Sequence, residues 1–173
     1  MICPDCSHDN IEGVDVCEAC GQPLSQFDLL CPSDLEESIS KHSIMVLAPR
    51  KPAMVSASTS VQDAVREMVE RKIGCLLVVE EGVLVGIFSE RDVLNKVSSE
   101  MSALKKPVSE FMTQKPAAIR KQDSIAYALH AMDIGGYRHI PIVDDKCRPT
   151  GIISVRDILR FLCVRFAEIR TKS

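Results

Sequence analysis

A seven-residue run, Gly-x-x-Ser-x-Arg-Asp, occurs twice in this chain, at residues 86–92 and again at residues 151–157. Each run ends a stretch of branched apolar residues and begins a pattern that is typical of a helix. The surroundings recur as well: residues 51–55 are answered by residues 115–119, at an offset of 64 that becomes 65 at the Gly runs. Internal duplication at this period predicts two copies of one α/β unit. Units of this size rarely bury enough apolar surface alone, so we expect the copies to pack against each other.

Apolar periodicity predicts the order strand, helix, strand, strand, helix in each copy. The expected strands are residues 54–56, 75–79 and 83–88 in the first copy, and a strand at Ile119 followed by residues 139–143 and 151–154 in the second. The expected helix N-caps are Thr59 or Ser60, then Ser89, then Asp123 or Ser124. The closing helix is expected to run from Arg156 past Phe166.

Charge divides the chain into two different parts. Residues 1–40 contain nine Asp or Glu and no Lys or Arg, whereas residues 41–173 hold all 21 basic residues against 15 acidic ones. No apolar run approaches the roughly 18 residues that span a bilayer, and the first residues lack the basic stretch and apolar core of a signal peptide. These features predict a cytoplasmic protein, whose eight cysteines serve as metal ligands or free thiols rather than disulfides.

Two CxxC pairs, Cys3/Cys6 and Cys17/Cys20, lie in the acidic head with ten residues between them. Such pairs supply the four thiolates of a tetrahedral Zn²⁺ site, and Gly21 is expected at positive φ in the turn close to the metal. A redox pair or free thiols are the alternative, which is disfavoured because the head has almost no apolar core without a metal. The acidic charge repels phosphate backbones, so we expect a structural or protein-contact role rather than nucleic-acid binding.

The duplicated part closely resembles a pair of CBS (cystathionine-β-synthase) domains, a regulatory adenosyl-ligand module also called a Bateman module. The resemblance rests on the two Gly runs and on residues 108–113 and 137–144, and it covers roughly residues 39–168. The head resembles a short zinc ribbon. The resemblance implies an α/β (α+β) fold with two β-α-β-β-α CBS-type repeats packed as a pair, plus a small N-terminal zinc ribbon. The expected boundaries are 1–25 for the ribbon, 26–38 for a linker, 39–106 for the first repeat and 107–170 for the second.

The resemblance also implies two pseudo-symmetric clefts between the repeats for adenine nucleotides. In the family, the Asp of each run grips ribose hydroxyls, the Ser binds ribose or phosphate, and adenine lies between strands of the opposite copy. The favoured cleft comprises Ile87, Ser89, Arg91, Asp92, Met112, Thr113, Ala117, Tyr137, Arg138 and His139. The second cleft comprises Ala48, Ala53, Ile73, Gly74, Cys75, Ile152, Ser154, Arg156 and Asp157.

The first cleft is favoured because Arg138 and His139 offer charge-assisted hydrogen bonds to phosphates, whereas the matching Gly74 and Cys75 do not. The second cleft is expected to be empty, weaker, or suited to a less charged adenosyl ligand. The Ser-x-x-Asp spacing also fits a capping box that satisfies the free amides of the first helical turn, and we expect that role beside ligand binding. Whether Arg91 contacts a phosphate or solvent is left open by the sequence.

We therefore expect a non-catalytic regulatory protein that binds AMP, ADP, ATP or S-adenosylmethionine and acts on an unknown protein target. No Ser/His/Asp order, P-loop or paired acid–base constellation points to an enzyme, and four sulfurs leave Zn²⁺ no open position. The alternative is a nucleic-acid-associated regulator in which the ribbon or the basic repeats contact DNA or RNA, although no Lys/Arg run is longer than two. Apolar residues beyond one stripe on the predicted helices favour a homodimer through the CBS-like pairs. No membrane contact is expected.

Overall fold

The computed structural model describes residues 3, 6–11, 14, 16–21, 39–98 and 101–170 of the 173-residue chain. The chain divides into two compact units, Met1–Glu37 and Ser38–Ser173. The linker that we expect at residues 26–38 lies outside the described residues. In the described part of the chain, no helix combines the length and the apolar character needed to cross a membrane.

The first repeat follows the predicted order of elements. It contains strand β1 (Met54–Ser56), helix α1 (Val61–Arg71) and strands β2 (Cys75–Glu80) and β3 (Val83–Ser89). Strand β1 pairs in parallel with β2, and β2 pairs antiparallel with β3. Ser60 is the N-cap of α1, because its side chain accepts a hydrogen bond from the backbone N of Asp63 at 3.1 Å. The cap thus begins the helix where the sequence pattern predicts it.

The segment after β3 differs from the regular helix that the sequence pattern predicts. Helix α2 spans only Glu90–Asp92 and passes directly into a π-helical segment, Val93–Val97. A hydrogen bond from Ser98 N to Val93 O at 3.0 Å closes the wide turn. Single π-helical turns inside helices are frequent at functional sites. This one follows Asp92 directly, which is a residue of the expected ligand site.

The second repeat contains helix α3 (Ile125–Gly135), strands β5 (His139–Val143) and β6 (Pro149–Ser154) and helix α4 (Val155–Arg170). Ser124 is the N-cap of α3, with Tyr127 N donating to its Oγ at 3.1 Å. The strand that we expect at Ile119 is reduced to one isolated parallel bridge with Ile142. The closing helix α4 is regular over 16 residues.

Each repeat is completed by a segment that precedes the other repeat in the sequence. Strand β4 (Thr113–Gln114) leads into the second repeat but pairs antiparallel with β3 of the first. A 3-10 helix at Ile44–Leu47 leads into the first repeat, but Ile44 is fully buried in the core of the second. Arg50 and Ile152 then exchange backbone hydrogen bonds of 3.1 and 3.0 Å. The two repeats are therefore interlocked.

Two apolar cores result from this arrangement. In the first repeat the buried core residues are Val55, Ala57, Val61, Ala64, Met68, Leu76, Val78, Phe88, Val97, Ala103 and Val108. In the second they are Ile44, Ile119, Ile125, Ala128, Met132, Ile140, Ile142, Ile153 and Ile158. Burial of these side chains holds the ends of β3 and β6, and with them both Ser-x-x-Asp runs, in fixed positions.

Candidate functional site

A cleft of about 680 Å³ between the two repeats is lined by residues from both. It contains Ser89 and Asp92 at the end of β3, and Ser154 and Asp157 at the end of β6. We call the part around the first pair the Asp92 half and the part around the second the Asp157 half. The two clefts that we expect from the sequence are therefore halves of one cavity.

Positive charge exceeds negative charge in the lining of this cleft. Seven basic side chains line it against three acidic ones, so the cavity favours an anionic ligand. The basic residues are Arg50, Lys51, Arg71, Lys72, Arg91, Arg138 and Arg156, and the acidic ones are Glu90, Asp92 and Asp157.

Of the residues that the sequence assigns to the site, all except Met112 and Ala48 line the cleft. Met112 packs in the core of the first repeat and fills the space that a Cβ at Gly86 would occupy. Ala48 ends the 3-10 helix with a left-handed backbone, φ 50, and its N–H donates to Met45 O. Both have a structural role, which the family pattern alone does not reveal.

In the Asp92 half, the Asp92 carboxylate is almost fully buried and fully engaged. Its Oδ2 accepts hydrogen bonds from the Ser89 N at 3.0 Å and the Ser89 Oγ at 2.6 Å. Its Oδ1 accepts from Lys96 Nζ at 2.7 Å and from Thr113 Oγ1 at 3.3 Å. Asp92 N in turn donates to Ser89 Oγ at 3.4 Å. The capping box that we expect here is confirmed.

In the Asp157 half, the carboxylate has the same Ser contacts but a different counter-ion. Its Oδ2 accepts from Ser154 N at 2.8 Å and Ser154 Oγ at 2.6 Å. Its Oδ1 accepts from Arg50 Nη2 at 3.1 Å. Burial by itself would raise the pKa of Asp157, but the hydrogen bonds from Ser154 and the charge of Arg50 hold it below the usual range.

The two halves are joined by backbone contacts related by the internal repeat. Glu90 N donates to Gly74 O at 3.0 Å, and the equivalent Val155 N donates to Arg138 O at 3.0 Å. The Arg91 guanidinium crosses between the repeats and donates from Nη1 to Gly136 O at 2.8 Å. These contacts use the first amide of each helix and the Arg91 side chain within the protein, which leaves the other basic groups for a ligand.

His139 and Cys75 occupy equivalent positions at the centre of the cleft. A Cβ on Gly74 would lie 3.2 Å from His139 Cε1, so the absent side chain at Gly74 makes room for the ring. Burial and the neighbouring Arg138 lower the pKa of His139, which favours the neutral imidazole and weakens the charge-assisted role that we expect for it. Burial, followed by the charge of Glu90, raises the pKa of Cys75 to about 12 and keeps it a thiol.

The sulfur atoms of Cys3, Cys6, Cys17 and Cys20 all lie within 4.8 Å of one another. The Sγ–Sγ distances are 3.6 Å for Cys3–Cys20 and 3.6 Å for Cys6–Cys17. A tetrahedral site with bonds of about 2.3 Å separates its sulfurs by about 3.8 Å. Burial opposes ionisation of Cys17, but backbone N–H groups of Cys20 and Ala19 lower its pKa to about 6. The four side chains therefore fit a Zn²⁺ ion.

Matching turns support the two cysteine pairs. Ser7 N donates to Cys3 O at 2.8 Å, and Gly21 N donates to Cys17 O at 2.9 Å. Both turn residues have positive φ, 61 for Ser7 and 77 for Gly21, as we expect for Gly21. Asn10 is buried beside them, with its Nδ2 donating to His8 O and its Oδ1 accepting from Glu18 N, each at 3.0 Å. A buried amide with both ends bonded fixes the relative position of the two turns.

Sequence reasoning overlooked three residues that shape these sites. Lys96 lies four residues after Asp92, a spacing that brings side chains together on a helix and was a usable signal. Arg50 lies 107 residues before Asp157, and no local pattern indicates that they meet. Asn10 is one polar residue among many in the acidic head. Its burial follows from tertiary structure alone.

Comparison with known proteins adds a family. The model of the CBS domain matches residues 45–99 and 108–164. An uncharacterized 17.7 kDa protein of Acidianus ambivalens is 31% identical over 117 residues, which are 67% of this chain and 70% of that protein. The next two curated relatives are longer, one of them an arabinose 5-phosphate isomerase of Francisella tularensis, and the chain spans 20% and 33% of their lengths.

Two solved structures show the same architecture with ligands. The CBSX2 structure in complex with AMP has a TM-score of 0.60 and 26% identity, covering 69% of this chain and 94% of that one. The CBS domain pair of protein MJ0100, in complex with 5′-methylthioadenosine and S-adenosyl-L-methionine, has a TM-score of 0.60 and 25% identity, covering 69% and 98%. The mixed α/β arrangement of the repeats is thus that of a CBS domain pair.

Proposed function

This chain belongs to the CBS domain family, and on that basis we propose that its paired repeats form a non-catalytic sensor of an adenine nucleotide or a related adenosyl ligand. The ligand binds in the cleft between the repeats, and its binding changes how the protein contacts a protein target. Structural neighbours described in complex with AMP and with S-adenosylmethionine support this assignment.

The observation that carries the proposal is a basic cleft with a Ser–Asp pair from each repeat. Ribose hydroxyls donate hydrogen bonds to carboxylates, and phosphates bind Arg through paired charge-assisted hydrogen bonds. Among the described residues, no carboxylate pairs with the guanidinium of Arg138 or of Arg156. These two groups are therefore prepared to bind phosphate oxygens.

A sensor explains the carboxylates of the cleft better than catalysis does. A general acid or base must be within reach of a reacting group and must exchange its proton. Asp92 and Asp157 are instead held by their Ser partners and by the cations of Lys96 and Arg50. We therefore propose binding without turnover.

Titration calorimetry on the full chain tests the binding proposal. AMP, ADP, ATP and S-adenosylmethionine are titrated in turn, with GMP as a control for the base and pyrophosphate as a control for phosphate alone. At least one adenosyl ligand is expected to bind, and Arg138→Ala is expected to weaken a phosphate-bearing ligand about tenfold or more, the loss of a hydrogen bond to a charged group. The exposed Arg160, which does not line the cleft, gives the matched control Arg160→Ala. Absence of binding by all four ligands contradicts the proposal.

We propose further that the acidic head is a zinc ribbon that holds one Zn²⁺ through four thiolates and contacts the protein target. The distances between the sulfur atoms and the lowered pKa of Cys17 support the metal. Metal analysis of purified protein is expected to give one equivalent of zinc, and Cys17→Ser is expected to lose it. The exposed Cys163 provides the control Cys163→Ser, and zinc well below one equivalent in the unaltered protein contradicts the proposal.

We propose that a second copy of the chain covers an apolar groove of about 440 Å³ between α1 and the segment after β3. Val69 and Leu94 line it and are 70% and 68% exposed. Closed two-fold pairing is the commonest way in which soluble chains bury such a face. Sedimentation equilibrium is expected to give twice the 19.1 kDa chain mass. Leu94→Lys is expected to give the monomer, whereas Val83→Lys at the hairpin turn leaves the dimer, and a monomer for the unaltered chain contradicts the proposal.

A further inference from the structure

We infer that Lys96 is an internal counter-ion that closes the Asp92 half to ribose, so that the nucleoside binds first at the Asp157 half. The inference rests on the proposed function, because it concerns an adenosyl ligand in the cleft. It assigns Lys96 a role in setting the order of the two halves. It also reverses the order expected from the sequence, in which Arg138 and His139 favour the Asp92 half.

The number of free acceptor positions differs between the two carboxylates. An ionised carboxylate has about four lone-pair positions. Asp92 fills all four, with two hydrogen bonds from Ser89 and one each from Lys96 and Thr113. Asp157 fills three, two from Ser154 and one from Arg50. A ribose hydroxyl therefore finds an open acceptor at Asp157, whereas at Asp92 it must displace a protein donor.

Displacing Lys96 from Asp92 is costly because the ammonium is anchored twice. Lys96 Nζ donates to Asp92 Oδ1 and to Phe111 O, each at 2.7 Å. The Asp92 side chain is only 8% exposed, so breaking this pair without full replacement leaves a buried charge uncompensated. The π-helical turn at Val93–Val97 contains Lys96 and holds it beside the carboxylate. The ligand must overcome this pair before it reaches the Asp92 carboxylate.

Arg50, the counter-ion of Asp157, is of a different kind. Its side chain is 65% exposed and lines the cleft, whereas Lys96 is not part of the lining. A guanidinium has five donors, so Arg50 can keep its bond to Asp157 while it donates to a phosphate oxygen. Arg138 is also close to this half, because β5 pairs with β6 through His139 and Ser154 and Arg138 O accepts from Val155 N. The Asp157 half thus combines an open acceptor with two cations.

The difference is specific to this sequence. At the position 65 residues after Lys96 the second repeat has Phe161, and at the position 64 residues before Thr113 the chain has Pro49. Neither side chain donates a hydrogen bond, so Asp157 cannot receive the two extra bonds that Asp92 receives. Phe161 packs instead against the second core and the ring of His42.

The test is calorimetric titration of the full chain with AMP. Asp157→Asn is expected to weaken the first AMP at least tenfold, while Asp92→Asn changes it less than threefold. Lys96→Met removes the ammonium and is expected to tighten or create binding at the Asp92 half at least fivefold. Adding Asp92→Asn to Lys96→Met is expected to abolish that gain. Thr113→Val, which frees one acceptor position without removing a charge, is expected to give a smaller gain of the same sign.

Controls separate this role from a merely structural one. Lys96→Arg is expected to keep the unaltered affinity and stoichiometry, and the exposed Lys105, outside the cleft, gives the neutral variant Lys105→Met. Thermal melts establish that each variant is folded. Equal losses for Asp92→Asn and Asp157→Asn, or no gain in folded Lys96→Met and Thr113→Val, overturn the inference and leave the sensor proposal standing. If no adenosyl ligand binds the unaltered chain, the sensor proposal itself fails.

Discussion

The two repeats share the Ser-x-x-Asp run, but each repeat surrounds it differently. In the first, the run ends a strand of a four-stranded sheet and leads into a three-residue helix and a π-helical turn. In the second, it ends a two-stranded sheet and leads into a regular helix of 16 residues. The counter-ion of Asp92 comes from four residues away, and that of Asp157 from 107 residues away. The motif sets the capping geometry, whereas residues outside it set the charge environment.

The largest expected difference between the repeats is in their cores. Phe88 and Ile153 occupy equivalent positions, 0% and 1% exposed. Phe88→Ala is expected to lower the free energy of unfolding by about 4 kcal/mol, because it removes a ring and leaves a cavity, and Ile153→Val by about 1 kcal/mol. Urea unfolding followed by circular dichroism measures both values. A smaller loss for Phe88→Ala than for Ile153→Val would contradict this comparison.

The next effect compares the two carboxylates. Asp92→Ala is expected to cost about 3 kcal/mol of stability, because it removes a cap and leaves Lys96 without its buried partner, and Asp157→Ala about 1.5 kcal/mol. Asp145, whose side chain is 89% exposed, gives the control Asp145→Ala with a cost below about 0.5 kcal/mol. The measurement is urea unfolding at pH 7 without ligand. Equal costs for Asp92→Ala and Asp157→Ala would show that the extra bonds to Asp92 add nothing to stability.

A smaller effect separates the equivalent arginines. The Arg91 guanidinium donates to Gly136 O across the two repeats. Arg91→Ala is expected to cost about 0.5–1 kcal/mol, the usual net value of one hydrogen bond near the surface. Arg156→Ala is expected to have no measurable effect on stability. Thermal melts of both variants, in parallel, test the difference, which the reverse order would contradict.

The smallest effect is on the pH dependence of stability, and it involves His139, which stands where the first repeat has Cys75. Burial lowers the pKa of His139 below the 6.5 of the unfolded chain, so the folded state binds fewer protons just below that pH. Stability is therefore lost as the pH falls from about 6.5 to the lower folded value. His139→Gln is expected to make the free energy of unfolding less dependent on pH between 5 and 7, whereas Cys75→Ala leaves the dependence unchanged. An unaltered slope in His139→Gln contradicts this prediction.

Local patterns in the sequence predict much of this fold because they reflect local physics. Ser60 and Ser124 begin helices where the pattern places them, since a side-chain oxygen at that point satisfies a free amide. The capping box at Ser89 and Asp92 is predicted for the same reason. The family resemblance extends this success to the tandem arrangement and to the residues that line the cleft.

Features that depend on distant contacts were not predictable in this way. The pairing of Arg50 with Asp157 depends on the packing of one repeat against the other. The π-helical turn after Asp92 has the same apolar spacing as a regular helix, and only the bonds of Lys96 to Asp92 and Phe111 distinguish it. Met112 matches the family pattern of the ligand site but packs in a core, because Gly86 leaves room for it.

The exchange of lead segments has a consequence for how the chain folds and how it can be divided. Ser43 Oγ donates to Lys121 O across 78 residues of sequence, and Ile44 N donates to Asp123 O. A cut between the repeats would take Ile44 from the second core and Val108 from the first, so neither half would keep a filled interior. Folding must close this long loop before either core is complete, which slows the search and makes it cooperative. The duplicated unit seen in the sequence is thus a unit of ancestry, and the unit of folding is the pair.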